Sequence, residues 1–200
     1  MAMERGNCKN KAMMERALVL PLYVALIAVA PCCSAQQQAM ATTTTSMIEE
    51  ACRKAASSQA GITYEHCVSS LASDRRSRDA VDLHALAVVA TKIAIEHAAS
   101  TEARMDDLNE AEESPHARAR LDHCLELYNA AANVLRDALD NLHAHVYGKA
   151  TEQLAAALGA SESCEDAWKG TDDRNVPVAR HDREYGRMAL VALGLSSGIL

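Results

Sequence analysis

The stretch LDHCLELYNAAANVLRDALDNL, residues 121–142, decides the fold of this chain. Its large apolar side chains recur at alternating steps of four and three residues, the spacing of a buried stripe on a helix that packs in a bundle. The stripe consists of Leu121, Leu125, Tyr128, Ala132, Leu135, Leu139 and Leu142. Upstream, Ser114 is a good N-cap and Pro115 suits a first helical turn, where its missing N–H costs nothing. The stretch therefore predicts a long helix that begins near Pro115.

Three further stretches have the pattern of substantial helices. The first starts at Asp79 and runs without a breaker to Ser114, which allows a helix of about 30 residues or more. The second repeats the four-and-three spacing and ends before Gly170; its stripe consists of Ala150, Leu154, Ala157, Ser161, Cys164 and Trp168. The third lies within residues 181–200, where an apolar face is formed by Met188, Val191 and Leu195. Four long helices are thus predicted.

Two shorter helices are expected before the long ones, over residues 46–58 and 63–73. A break at Gln59-Ala60-Gly61-Ile62 separates them, and the charged segment DRRSRD, residues 74–79, leads into the first long helix. Nowhere do five residues alternate cleanly between polar and apolar, as a half-buried strand requires. The sequence predicts an all-α protein.

The beginning of the chain has the composition of a secretory signal. Residues 1–35 combine a basic leader, an apolar run and small residues before Gln36, so we expect a signal peptide that is removed. Residues 36–45, QQQAMATTTT, predict a disordered stub. The rest, 46–200, is expected to be one domain: a helical hairpin over 46–73 and a four-helix bundle over 79–200.

The charge balance excludes two classes of partner. Without residues 1–35 the chain keeps 16 lysine and arginine and 25 aspartate and glutamate side chains, a net charge of −9. A chain this acidic does not seek nucleic acid or an anionic membrane surface. We therefore expect a secreted protein without a nucleic-acid or membrane partner.

The cysteines that remain after signal removal are even in number, which in a secreted chain indicates disulfides. They are Cys52, Cys67, Cys124 and Cys164. Two antiparallel helices joined by a short turn place residues equidistant from the turn side by side. The first two cysteines are centred on the break after Gln59, and the last two on residue 144, where one predicted helix gives way to the next. The predicted pairs are Cys52 with Cys67 and Cys124 with Cys164.

Catalysis finds little support in the sequence. His143 and His145 could suggest a metal site, but residues two apart do not share a helix face. Glu113 and His116 match half of a di-iron pattern that needs two such pairs. Phosphate-loop, zinc-protease and nucleophile-elbow motifs are absent from the sequence after residue 35. Trp168 is expected in the core beside the second disulfide. We predict a protein that is not an enzyme and has no metal or cofactor.

Three stretches together resemble a known family: CLELYNAAANVLRDAL at 124–139, YGKATEQLAAAL at 147–158 and SCEDAWKG at 163–170. With the four cysteines and the stapled hairpin, they are similar to the plant invertase and pectin methylesterase inhibitors over about residues 46–198. The resemblance implies the same disulfide pairing. It also implies an up-and-down four-helix bundle with the hairpin at one end.

The resemblance implies inhibition by one-to-one binding and occlusion of an enzyme's cleft, in the cell wall (apoplast) or, alternatively, the vacuole. The favoured target is pectin methylesterase, bound by a polar face of the first two bundle helices. The residues expected there are Asp106, Glu110, Asp122, Glu126, Asn129 and Asn133. The alternative target is acid invertase, bound by the loop between the second and third bundle helices, with His145, Tyr147 and Lys149. A second alternative is a secreted bundle without an enzyme target.

Overall fold

The computed structural model describes residues 32–169 and 178–200, with side chains from residue 44 onward. The chain divides into two compact units, residues 1–36 and 37–200. Of the first unit only residues 32–36 are described, and they are helical. The predicted signal peptide therefore lies almost wholly outside the described residues, as does the predicted helix end at Gly170.

The described part of the second unit is helical and contains no strand. Its elements are α1 (Cys32–Ser58, which begins in the first unit), α2 (Tyr64–Ser73), a 3₁₀ turn (Arg75–Asp79), α3 (Leu83–Ala111), α4 (Pro115–His143), α5 (Tyr147–Ala167) and α6 (Ala179–Ser197). The prediction of an all-α fold is confirmed.

The four long helices form a closed ring in which α3 packs on α4, α4 on α5, α5 on α6 and α6 on α3. Residues 112–114 and 144–146 are the short connections between α3, α4 and α5, and such connections join antiparallel neighbours. Side-chain caps mark two of the helix starts: Asp82 accepts from the Ala85 amide at 2.8 Å and Ser114 from the Ala117 amide at 3.4 Å.

The hairpin is formed by the end of α1 and by α2, and both predicted disulfides are present. The Cys52–Cys67 bond joins α1 to α2, and the Cys124–Cys164 bond joins α4 to α5. The hairpin break contains Gly61 at φ 89, a left-handed conformation that suits glycine. Helix α2 packs on both α3 and α6, so the hairpin is attached at the junction of these two helices.

Two predicted boundaries differ from the structure. Residues 36–45, predicted as a disordered stub, lie within the span of α1. The first long helix begins at Leu83 and not at Asp79, since the Asp82 side chain caps it and the preceding residues form the 3₁₀ turn. Val81, whose spacing to Ala85 and Val88 extends the apolar pattern of α3 backwards, is 84% exposed.

The core contains the predicted stripes of α4 and α5 with one adjustment. Leu121, Tyr128, Leu135 and Leu142 are fully buried, whereas Leu125 and Leu139 are only partly buried. Small side chains fill the intervening space on α4: Cys124, Ala131 and Ala138. The buried stripe of α4 is therefore rotated slightly towards its alanine positions.

Candidate functional site

An open groove of about 560 Å³ runs along the surface between α3 and α4. It is lined by Glu102, Asp106, Leu125, Glu126, Asn129, Ala130 and Asn133. Four of the six residues predicted for the polar face, Asp106, Glu126, Asn129 and Asn133, thus lie around one surface feature. The two antiparallel helices bring them together because their exposed faces meet along this line.

Two predicted residues are placed outside this groove. Asp122 accepts a hydrogen bond of 2.6 Å from the side-chain amide of Asn109, which fastens the end of α3 to the start of α4. Glu110 is exposed on α3 and is not part of the groove lining. Asp122 therefore has a structural contact that the sequence pattern did not indicate.

A row of polar side chains on α4 borders the groove. The Asn133 amide nitrogen donates to the Asn129 side-chain oxygen at 3.3 Å, and Arg136 donates to the Asn133 oxygen at 2.9 Å. These contacts follow the three- and four-residue spacing of a helix surface. They orient the two asparagine side chains and leave further hydrogen-bonding positions facing solvent.

The chemistry of the groove suits a protein surface rather than a small ligand. Its lining supplies the carboxylates of Glu102, Asp106 and Glu126 with two amides, and none of its seven residues is basic. Small-molecule sites are mostly apolar and enclosed, which this open groove is not. Glu102 was missed by the sequence analysis, although its position four residues before Asp106 places both on one helix face.

The turn between α4 and α5 carries the alternative site and has a defined geometry. The His145 amide donates to the Leu142 carbonyl at 2.9 Å, and the Val146 amide donates to the Asn141 carbonyl at 2.8 Å. This pair of bonds is a Schellman motif. His145 occupies the left-handed position of the motif at φ 58, where glycine is usual and histidine is tolerated better than most residues.

Aromatic contacts hold this turn against the start of α3. The His145 ring stacks on the His84 ring with centroids 4.6 Å apart, and the Tyr147 ring meets both imidazoles edge-on at 5.7 Å. His145 Nδ1 is 2.6 Å from the Tyr147 hydroxyl. Val146, at the tip, is 46% exposed. Two predicted loop residues, His145 and Tyr147, are thus brought together, while Lys149 is exposed and outside this cluster.

The two metal-site candidates remain without support in the described residues, where no group of three or more histidine, cysteine, aspartate or glutamate side chains could hold an ion. Glu113 and His116 are exposed on either side of the α4 start. His143 lies in a separate shallow groove near the start of α3. Trp168 is buried, as predicted, with the Arg120 guanidinium 5.5 Å from its ring centre.

A polar cluster in the core joins α4, α5 and α6. The Tyr128 hydroxyl donates to the Asp182 carboxylate at 2.5 Å, and the Tyr185 hydroxyl donates to the Ala157 carbonyl at 2.6 Å. Burial raises the pKa of Asp182 to about 6, and the nearby Glu165 adds to that rise. Burial, and then the Asp182 carboxylate, raise the pKa of Tyr128, so this hydroxyl stays protonated. The three side chains are buried, and their contacts join α6 to α4 and α5.

Among the described helices, none combines the length with the apolar composition that a bilayer-spanning segment needs. Among known protein families, residues 46–195 match the family described as plant invertase/pectin methylesterase inhibitor.

Similar curated proteins carry both kinds of inhibitor name. The chain is 27% identical over 145 residues to a "Putative invertase inhibitor" of Platanus acerifolia, covering 72% of this chain and 80% of that protein. It is also 27% identical over 149 residues to "Pectinesterase inhibitor 8" of Oryza sativa subsp. japonica, covering 74% and 81%.

Two solved structures share the fold. One is a mutant form of a pectin methylesterase inhibitor from Arabidopsis, with a TM-score of 0.63 at 20% identity. The other is a pectin methylesterase inhibitor from Arabidopsis thaliana, with a TM-score of 0.55 at 18% identity. In both cases the match covers 76% of this chain and 95% of the other.

Proposed function

Because this chain belongs to the plant invertase/pectin methylesterase inhibitor family, we propose that it binds a pectin methylesterase one to one and covers its active-site cleft with the α3–α4 groove. The family consists of extracellular inhibitors, not enzymes, of pectin methylesterase or invertase. The choice of pectin methylesterase and the mode of binding are the proposal. We further propose that the protein acts in the apoplast, with the vacuole as the alternative.

The observation that carries the proposal is the convergence of Asp106, Glu126, Asn129 and Asn133 on one open groove. Carboxylates and amides on rigid helices can accept and donate hydrogen bonds to a polar, basic cleft rim without rearranging. Rigid surfaces of this kind lose little conformational entropy on binding. Inhibition then follows from exclusion of the substrate, and no covalent bond on the inhibitor is made or broken.

The test is a paired titration of the secreted protein against a plant pectin methylesterase and a plant acid invertase. We expect esterase activity to fall to an end point at one inhibitor per enzyme. If neither enzyme loses activity, the protein is a secreted bundle without either target and the proposal fails.

The site is tested by Glu126→Arg, which reverses a charge inside the groove. We expect the inhibition constant for the esterase to rise at least about tenfold, because like charges facing each other in an interface cost several kcal/mol. Glu152→Arg makes the same change at an exposed position of α5 outside the groove and should leave the constant unchanged. Equal effects of the two variants would remove the groove from the binding site.

The second candidate function is inhibition of acid invertase by the α4–α5 turn. The fixed turn with an exposed Val146 at its tip favours it, since a rigid protruding loop can enter an enzyme's active site. In that case Lys149→Glu would weaken inhibition of invertase, whereas Glu126→Arg would not. The same set of variants therefore discriminates between the two surfaces.

A further inference from the structure

We propose that His84 is a positioning residue for the α4–α5 turn, and that His84, His145 and Tyr147 form a latch that opens when both imidazoles are protonated. The latch joins the first turn of α3 to the turn after α4, elements that are otherwise connected through the buried core. The proposal concerns the conformation of the turn and is independent of which enzyme the protein inhibits.

The closed latch requires neutral rings. Stacking at 4.6 Å between centroids places two imidazoles face to face, and two cations at this distance repel each other. His84 Nδ1 is buried and has no hydrogen-bond partner, so a proton there would have neither water nor an acceptor.

The hydrogen bond between His145 and Tyr147 also depends on the charge. A neutral imidazole with its proton on Nε2 accepts from the Tyr147 hydroxyl at Nδ1, consistent with the 2.6 Å separation. A protonated imidazole carries N–H groups on both nitrogens, so the hydroxyl must rotate and accept instead. Both contacts of the His145 ring are thus altered by the same proton.

The charges around the latch do little to stabilise a protonated pair. Around His84, the shallow groove of about 280 Å³ is also lined by Arg76 and Asp79 of the 3₁₀ turn, Lys92 of α3 and His143 of α4. Lys149 follows on α5, and Asp82 caps α3. Arg76 is paired with Asp74 and Glu96. No carboxylate in the described part of the chain forms an ion pair with His84 or His145.

Opening of the latch frees a strained residue. His145 is held at φ 58, and the stack is what fixes its ring while the Schellman bonds fix its backbone. When the stack is lost, the Leu142 and Asn141 carbonyls compete with water for the amides of His145 and Val146. Histidine side chains in general change charge between pH 5 and 8, which sets the pH range in which the latch is tested.

The experiment is residue-resolved amide hydrogen exchange on the full secreted chain at about pH 7.5 and about pH 5, corrected for intrinsic exchange. The readout is protection of the His145 and Val146 amides relative to an amide in the middle of α4. We expect relative protection to fall roughly five- to tenfold on acidification, the effect of two nearby like charges at a partly exposed site.

Two variants separate a proton-sensitive latch from simple packing. His84→Phe keeps an aromatic ring that cannot be charged, and His145→Asn tolerates the left-handed conformation without a titrating ring. In His145→Asn we expect the pH dependence of protection to disappear. In His84→Phe we expect it to be much smaller than in the unmodified protein, since only the His145–Tyr147 hydrogen bond can still respond to a proton. His123→Phe replaces an exposed histidine on α4 and should behave like the unmodified protein. Unchanged protection in the unmodified protein between the two pH values, or an equal fall in His84→Phe, would overturn the proposal.

Discussion

Asp182 shows what one buried carboxylate does to this protein's response to pH. It is 1% exposed, and its pKa is raised to about 6 by burial, with a further rise from Glu165 on α5. The hydroxyl of Tyr128 on α4 and the charge of Arg183 on α6 oppose that rise. Because the folded state binds this proton more tightly than the unfolded state, the group stabilises the fold below its unfolded pKa near 4. That contribution is lost as the pH rises through about 6.

Replacement of Asp182 by asparagine should remove this pH dependence. Asparagine keeps an oxygen that accepts from Tyr128, but it cannot ionise. Between pH 4 and 7.5 we expect the free energy of unfolding of the unmodified protein to fall by about 2 kcal/mol relative to Asp182→Asn, because the pKa is raised from near 4 to about 6. Urea denaturation at the two pH values measures this difference.

The comparison between variants is needed because other groups titrate in the same range. Burial lowers the pKa of His66 and His97, so their effect has the opposite sign: they destabilise the fold as the pH falls. Tyr128→Phe is the control, because it removes the hydroxyl but retains the ionisable carboxylate. Parallel pH profiles for the unmodified protein and Asp182→Asn would contradict the assignment.

These residue-level contacts could not be predicted from the sequence. Asp182 lies in RHDREYGR, a string that is typical of a solvated helix start, and only tertiary packing buries it. The stack of His84 on His145 joins residues far apart in the chain, without a local pattern to indicate it. By contrast, helix periodicity places Glu126, Asn129 and Asn133 on one polar strip of α4, and the family resemblance is what led us to expect Asp106 beside them.

At the scale of elements, the two disulfides close loops of different length. Cys52–Cys67 has a sequence separation of 15 and lies within the hairpin, whereas Cys124–Cys164 has a separation of 40 and joins two bundle helices. In the chain-entropy model, these loops correspond to about 3 and about 4 kcal/mol of stabilisation. Removal of each bond should therefore destabilise a different region of the protein, and the loss in free energy of unfolding should differ in size.

Replacing each pair by alanine tests this difference. Cys124→Ala with Cys164→Ala should lower the free energy of unfolding of the whole bundle by roughly 3 to 4 kcal/mol. Cys52→Ala with Cys67→Ala should chiefly increase hydrogen exchange in α2 and the end of α1. Denaturant unfolding and exchange of the two variants provide the measurement, and global loss of stability from the hairpin pair alone would contradict it.

The elements themselves were largely predictable, and the errors have a physical cause. Spacing of leucine and alanine placed α4 and α5. The predicted turns between paired helices coincide with the midpoints between cysteines, which gave the disulfide pairing. The start of α3 was misplaced because Val81 and Ala85 continue its pattern backwards, while the Asp82 cap decides the boundary. Capping depends on the conformation of a single residue, and the spacing of apolar residues does not show which residue that is.

For the whole molecule, charge should control the speed of binding. Without residues 1–35 the net charge is −9, and the groove adds a local cluster of carboxylates. Association with a basic target should therefore slow by roughly tenfold when sodium chloride is raised from about 50 to about 500 mM. Stopped-flow association measures the rate, and Glu126→Arg should reduce its salt dependence. A rate that is independent of salt would exclude electrostatic attraction to the target.

The buried tyrosines also have a consequence for the alignment of the helices. Many of the buried residues of α4, α5 and α6 are alanines: Ala131, Ala132, Ala138, Ala157, Ala160, Ala189 and Ala192. Smooth faces of this kind would let one helix slide along another by a turn, about 5.4 Å, with little loss of contact. Such a displacement would leave the Tyr128 and Tyr185 hydroxyls and the Asp182 carboxylate buried without hydrogen-bond partners. These three side chains thus help to set the register of α6 against α4 and α5, whereas the Cys124–Cys164 bond fixes α4 against α5.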